Sequence, residues 1–143
     1  GYEKLKKAHR FPEPQIELGR LLVEHNCHSL NDISDGLASE INEIASASKV
    51  EIVLDREAIP ISDELKIWSE KTAQDIWKFV LNGGEDYELV FTMSPEDFAV
   101  LQKTYIHVTA IGSVRQGPVG VKISHKGIEN KLLPLGFHHF SEE

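Results

Sequence analysis

The stretch Asn31-Asp32-Ile33-Ser34-Asp35-Gly36 constrains this chain most. It puts two carboxylates, a hydroxyl and a glycine into the corner where an apolar stretch gives way to the helical pattern Leu37, Ile41, Ile44 and Ala45. Ser34 or Asp35 can cap that helix by accepting from its unpaired N–H groups, and Gly36 lets the backbone come close to a bound group. A cap needs only one acceptor. Two acids and a serine aimed at a helix N-terminus, where phosphate also binds, equally fit a magnesium ion bridging hard oxygen ligands to phosphate. Local spacing leaves both readings open.

With 143 residues, 41% hydrophobic and 27% charged, the chain fits one globular domain that closes a single core. The one cysteine, Cys27, excludes an internal disulfide framework and fits a reducing compartment. No apolar run approaches the roughly 20 residues that span a bilayer, and no signal peptide opens the chain, so a cytoplasmic location without membrane association is expected. The net charge of −8 opposes nucleic-acid binding, since only Lys4-Leu5-Lys6-Lys7 and His9-Arg10 are locally basic.

Residues 1–14 are basic and proline-punctuated, and read as a linker or an entering segment. Pro14 then opens a helix whose Leu18, Leu21, Leu22 and His25 recur at helical spacing up to Asn26. His25, Cys27 and His28 are not read as a zinc site, because no second ligand pair follows. After the helix to about Ser48, the alternation of Val50, Ile52 and Leu54 with Glu51 and Asp55 predicts a half-buried strand. Two short helices are expected over 62–82, starting at Ser62 and at Thr72, whose partner acid is Asp75; Trp68 and Trp77 pack on their apolar faces.

Leu81-Asn82-Gly83-Gly84-Glu85-Asp86-Tyr87-Glu88-Leu89 is an unusual helix-to-strand loop, with two glycines and an acid cluster before the alternation Tyr87, Leu89, Phe91. One reading is a backbone that approaches a ligand closely, with Glu85 or Asp86 aimed into the site. The other is a left-handed cap followed by solvated acids. Ser94-Pro95 starts a further helix. Ile106, Val108 and Ala110, a turn at Gln116-Gly117-Pro118, and Val119, Val121 and Ile123 then predict an antiparallel hairpin. His125-Lys126-Gly127 marks another turn, and the aromatic end through Phe137 and Phe140 is expected to dock on the domain. Helices and strands alternate early and strands pair late. The expected fold class is α+β: a mixed, largely antiparallel sheet with packed helices rather than a doubly wound parallel sheet.

Asp32-Ile33-Ser34-Asp35-Gly36-Leu37 together with the loop around Gly83-Gly84-Glu85-Asp86 resembles the C-terminal domain of the thiamine-monophosphate kinase family, within the superfamily of aminoimidazole ribonucleotide synthetase and selenophosphate synthetase. The resemblance runs from His9 to Phe137, departing at Asn31, where the family more often has an apolar residue. It implies a magnesium-dependent kinase that phosphorylates thiamine monophosphate with ATP to give thiamine diphosphate, a homodimer in its full-length form. In that family Asp32 and Asp35 would hold magnesium, Ser34 would touch ATP, and Glu85 and Phe137 would contact the thiamine-phosphate substrate. Residues 15–143 would then form the C-terminal substrate- and metal-binding domain, without the family's N-terminal nucleotide and magnesium domain, and the isolated chain is expected to be inactive. The alternatives are a noncatalytic divalent-ion or partner-binding domain, and a synthetase domain of the same superfamily.

Overall fold

The computed structural model describes residues 16–33, 35–82 and 89–134. Helix α1 (Ile16–Glu24) leads through Asn26, at φ 64°, into strand β1 (Ser29–Asp32), helix α2 (Leu37–Ser48) and strand β2 (Glu51–Asp55). A 3-10 turn (Arg56–Ala58), helices α3 (Asp63–Thr72) and α4 (Ile76–Asn82), strand β3 (Leu89–Thr92) and helix α5 (Pro95–Thr104) follow. Strands β4 (Gly112–Arg115), β5 (Gly120–His125) and β6 (Ile128–Lys131) complete the order among the described residues. β1 and β3 form an antiparallel ribbon; the other strands form a sheet in the order β4-β2-β5-β6, with β2 and β5 parallel and the outer pairs antiparallel. This is the expected α+β fold with a mixed, largely antiparallel sheet.

Local chemistry accounts for most element ends. Ser62 caps α3 by accepting from Leu65 N, and Ser94 caps α5 by accepting from Asp97 N, with Pro95 in the first turn where its missing N–H costs nothing. α4 does not begin with a Thr72 cap as expected. Thr72 is the last residue of α3 and donates its hydroxyl to Trp68 O, while Asp75 Oδ1 accepts from Trp77 N. Lys126 and Gly127, at φ 52° and 81°, close a two-residue turn between β5 and β6, since both central residues of such a turn need positive φ.

α2 lies across one face of the four-stranded sheet. Its Leu37, Ala38, Ile41, Ile44 and Ala45 meet Ile52, Leu54, Val121 and Ile123, and α4 closes the cluster with Leu81. A second, smaller cluster joins α1 to α5 through Leu18, Leu22 and Leu101. The β1–β3 ribbon separates the two: Val90 faces the first, and Leu30, Leu89 and Phe91 face the second. Trp68 packs edge-on to Phe79 with centroids 4.7 Å apart, and Trp77 lies against the first core beneath the Arg56 guanidinium, 4.4 Å from its ring centroid. Both tryptophans serve packing, as expected.

Two expectations fail. β4 and β5 are not hairpin neighbours, because β2 is inserted between them. Glu51 opposes Arg115 on one side and Gly120 on the other, so the 116–119 connection crosses the end of β2. The segment 106–110 forms no strand; its Val108 packs in the second cluster instead. β2 is also not half-buried. Glu51 is only 3% exposed, on the sheet face opposite α2, where Arg115 Nε and Lys122 Nζ bind its two oxygens. The expected docking of the C-terminal end is seen for Leu132, which is buried and bonds Val121 O through its N–H, whereas Phe137 and Phe140 lie outside the described residues.

Candidate functional site at the β1–α2 corner

Described residues towards the ends of the two singled-out motifs come together at one corner. Asp32 ends β1 directly opposite Leu89, the first residue of β3 and the last of the second motif. Asn82, towards the other end of that motif, closes α4 against Gly36: a Cβ on Gly36 would lie 2.7 Å from Leu81 O and 2.9 Å from Asn82 Cα. Gly36 also has φ 96° and ψ 154°, a backbone conformation almost confined to glycine. The glycine is needed here for conformation and for close approach to protein backbone, whereas the sequence suggested approach to a bound group.

The expected cap takes a different form. Gly36 itself occupies the N-cap position of α2, so Asp35 stands one residue ahead of it and the cap has no side chain to offer. The acid that binds the turn is Glu40, in the first turn of α2. Its Oε1 accepts from Asn31 Nδ2 at 3.1 Å and its Oε2 from the backbone N–H of Asp35 at 3.2 Å. Glu40 is 5% exposed. Sequence reasoning passed over it, although one signal was available: Glu40 stands three residues after Leu37 and four before Ile44, inside the apolar stripe, where an acid needs donors. The same bonds absorb the departure at Asn31, whose polar side chain has a buried acceptor to meet.

Asp32 and Asp35 are both exposed at this corner. Ser34, Glu85 and Phe137 lie outside the described residues. Among the described residues no group of three or more His, Cys, Asp or Glu could hold a metal ion. Two exposed carboxylates fit a magnesium ion that takes one or two protein ligands and fills its octahedron with water and substrate phosphate; they do not fit an all-protein cage. The N-terminus of α2 adds a favourable field for that phosphate. His25 Nδ1 bonds Leu21 O, and Cys27 packs in the second cluster, where burial raises its thiol pKa. No described helix is long and apolar enough to cross a membrane.

Fold and corner together define an α+β domain that presents carboxylates at the start of a sheet-covering helix. The chain belongs to the family of the AIR synthase related protein, C-terminal domain, which it matches over residues 3–124. It is 38% identical over 138 residues to the thiamine-monophosphate kinase of Bacillus subtilis (strain 168), covering 92% of this chain and 41% of that protein. To the thiamine-monophosphate kinase of Aquifex aeolicus (strain VF5) it is 35% identical over 136 residues, covering 95% and 41%. Its structure is similar to that of AaThiL complexed with AMPPCP and TMP, with TM-score 0.76 and 34% identity over 96% of this chain and 41% of that one. The chain thus spans about two-fifths of the length of these relatives.

Proposed function

We propose that this chain is the substrate- and metal-binding part, over residues 15–143, of a thiamine-monophosphate kinase. That enzyme is a cytoplasmic, homodimeric transferase which passes the γ-phosphoryl group of ATP to thiamine monophosphate in thiamine diphosphate biosynthesis. One observation carries the reading: Asp32 and Gly36, towards either end of the first motif, meet Leu89 and Asn82, towards either end of the second, at the N-terminus of α2, in a chain similar to kinases of that name.

In this reading Asp32 and Asp35 hold Mg2+, which supplies charge neutralisation between two polyanions that would otherwise repel. Ser34 contacts ATP, and Glu85 and Phe137 bind the thiamine-phosphate substrate, a carboxylate and an aromatic face suiting its cationic ring. No side chain acts as nucleophile, because the substrate phosphate is already an anion. The residues of this chain position and stabilise, which is where most of the rate enhancement of phosphoryl transfer arises.

The test measures thiamine diphosphate formed from ATP and thiamine monophosphate by the 143-residue chain, and by the same chain joined to the part of the Bacillus subtilis relative that lies outside the match. The joined protein is expected to turn over and the chain alone to be inactive. Asp32→Asn and Asp35→Asn should each lower kcat of the joined protein about a hundredfold or more. Turnover undiminished in both variants would sink the assignment.

A further inference from the structure

We propose that Glu40 is a positioning residue for the metal- and phosphate-binding turn, fixing from inside the core the separation at which Asp32 and Asp35 are presented. This rests on the kinase reading above and adds to it a residue that binds neither metal nor substrate. Glu40 lies on the face of α2 that Leu37, Ile41 and Ile44 anchor in the core, so its carboxylate is carried by a buried, close-packed helix face. A buried carboxylate is costly unless its oxygens are satisfied, and an ionised one only accepts. Its two described acceptor bonds bracket the aspartates. Asn31, immediately before Asp32, donates to Oε1, and the N–H of Asp35 itself donates to Oε2. An apolar residue at position 40 would suit the stripe better but would leave both donors without this acceptor.

The geometry makes a prediction that a generic core role does not. In Glu40→Gln, Oε1 can accept from Asp35 N–H, and Nε2 can donate to Asn31 once that amide turns over to present its oxygen. Both bonds survive. Asn31→Asp instead sets two carboxylates against each other, and Asn31→Asp combined with Glu40→Gln restores a donor between them.

Two readouts are taken on these variants and on Glu40→Ala. Hydrogen exchange at the Asp35 amide is followed in the 143-residue chain without metal. Mn2+ affinity in the presence of a nonhydrolysable ATP analogue is followed by electron paramagnetic resonance in the joined protein, an Asp32→Asn/Asp35→Asn control defining the Mn2+ bound through this turn. Glu40→Ala and Asn31→Asp are expected to speed Asp35 exchange and to weaken Mn2+ binding about tenfold, the lower end for groups that hold a metal's ligands in place. Glu40→Gln and the double variant should remain within about threefold of the parent, on the same scale. Should Glu40→Ala fail to fold, the Asn31→Asp pair decides. The inference is overturned if the double variant is no better than Asn31→Asp alone, or if the control binds Mn2+ as the parent does. A parent that binds Mn2+ through the turn yet makes no thiamine diphosphate would sink the kinase reading and leave the positioning role standing.

Discussion

Glu40 and Glu51 are both buried, one at the β1–α2 corner and one on the outer face of the four-stranded sheet, yet the described bonds come from neutral N–H donors at the first and from cations at the second. Around Glu51, Arg115 reaches one oxygen while its other nitrogens bind Glu129 at 2.8 and 3.2 Å, and Lys122 reaches the other oxygen at 3.3 Å. Those cations remain 42% and 39% exposed, so solvent shares in satisfying them. Glu40 holds a turn in one conformation, whereas Glu51 joins three neighbouring strands by charge. Directional bonds from neutral donors specify geometry. An ion network with wet edges adjusts to change.

The sharpest break in this contrast should come from Gly36→Ala. It places a methyl group 2.7 Å from Leu81 O at a φ of 96°, and backbone strain plus overpacking should cost about 3 kcal/mol, read by urea unfolding. An unchanged midpoint would mean that the corner yields as readily as the sheet. Next comes Glu40→Ala, expected to cost about 2 kcal/mol in the same measurement, because it removes a buried acceptor together with its bonds to Asn31 and to the Asp35 N–H. Ser94→Ala, remote from both glutamates, calibrates the scale: losing the acceptor for Asp97 N should cost about 1 kcal/mol.

The smallest effect at neutral pH is expected from Glu51→Gln, since Gln keeps an acceptor for Arg115 and Glu129 remains beside it. Its signature is pH dependence. The Arg115 hydrogen bond holds the Glu51 carboxyl below its ordinary value of 4.5, against the opposing pull of burial. The unfolded chain therefore binds more protons in that window. The stabilisation is fully present above pH 4.5 and disappears as pH falls through the lower folded value. Glu129, held low by Arg115, and Glu57, held low by the Lys126 N–H and by His125, add to the same acid limb. Thermal melts from pH 7 to pH 2 should show a shallower acid decline for Glu51→Gln than for the parent; parallel curves would remove Glu51 from the network.

Much of the fold could be read from local chemistry. The serine caps of α3 and α5, the apolar stripe of α2 and the strand character of β2 and β5 are properties of short windows, and they appear where expected. Adjacency was not legible in that way. Alternation at 119–123 shows that a strand forms, but not that β2, more than sixty residues earlier in the chain, takes the place beside it. The same difference separates Asp32 from Glu40 as candidates. Asp32 stands out beside Asp35 and Gly36, whereas Glu40 is an ordinary helical acid until the fold brings Asn31 and Asp35 N–H onto it.

The sequence alone determined the helices and the strands β2, β3 and β5, that two acids and a glycine meet at a turn, and which family the motifs resemble, because propensity, capping and motif chemistry act over a few residues. Tertiary structure decided strand order, the burial of Glu40 and Glu51, and the packing of Gly36 onto the end of α4. Those depend on which distant segments share a core, and that is settled only when α2 lies down on the sheet and the chain closes around it.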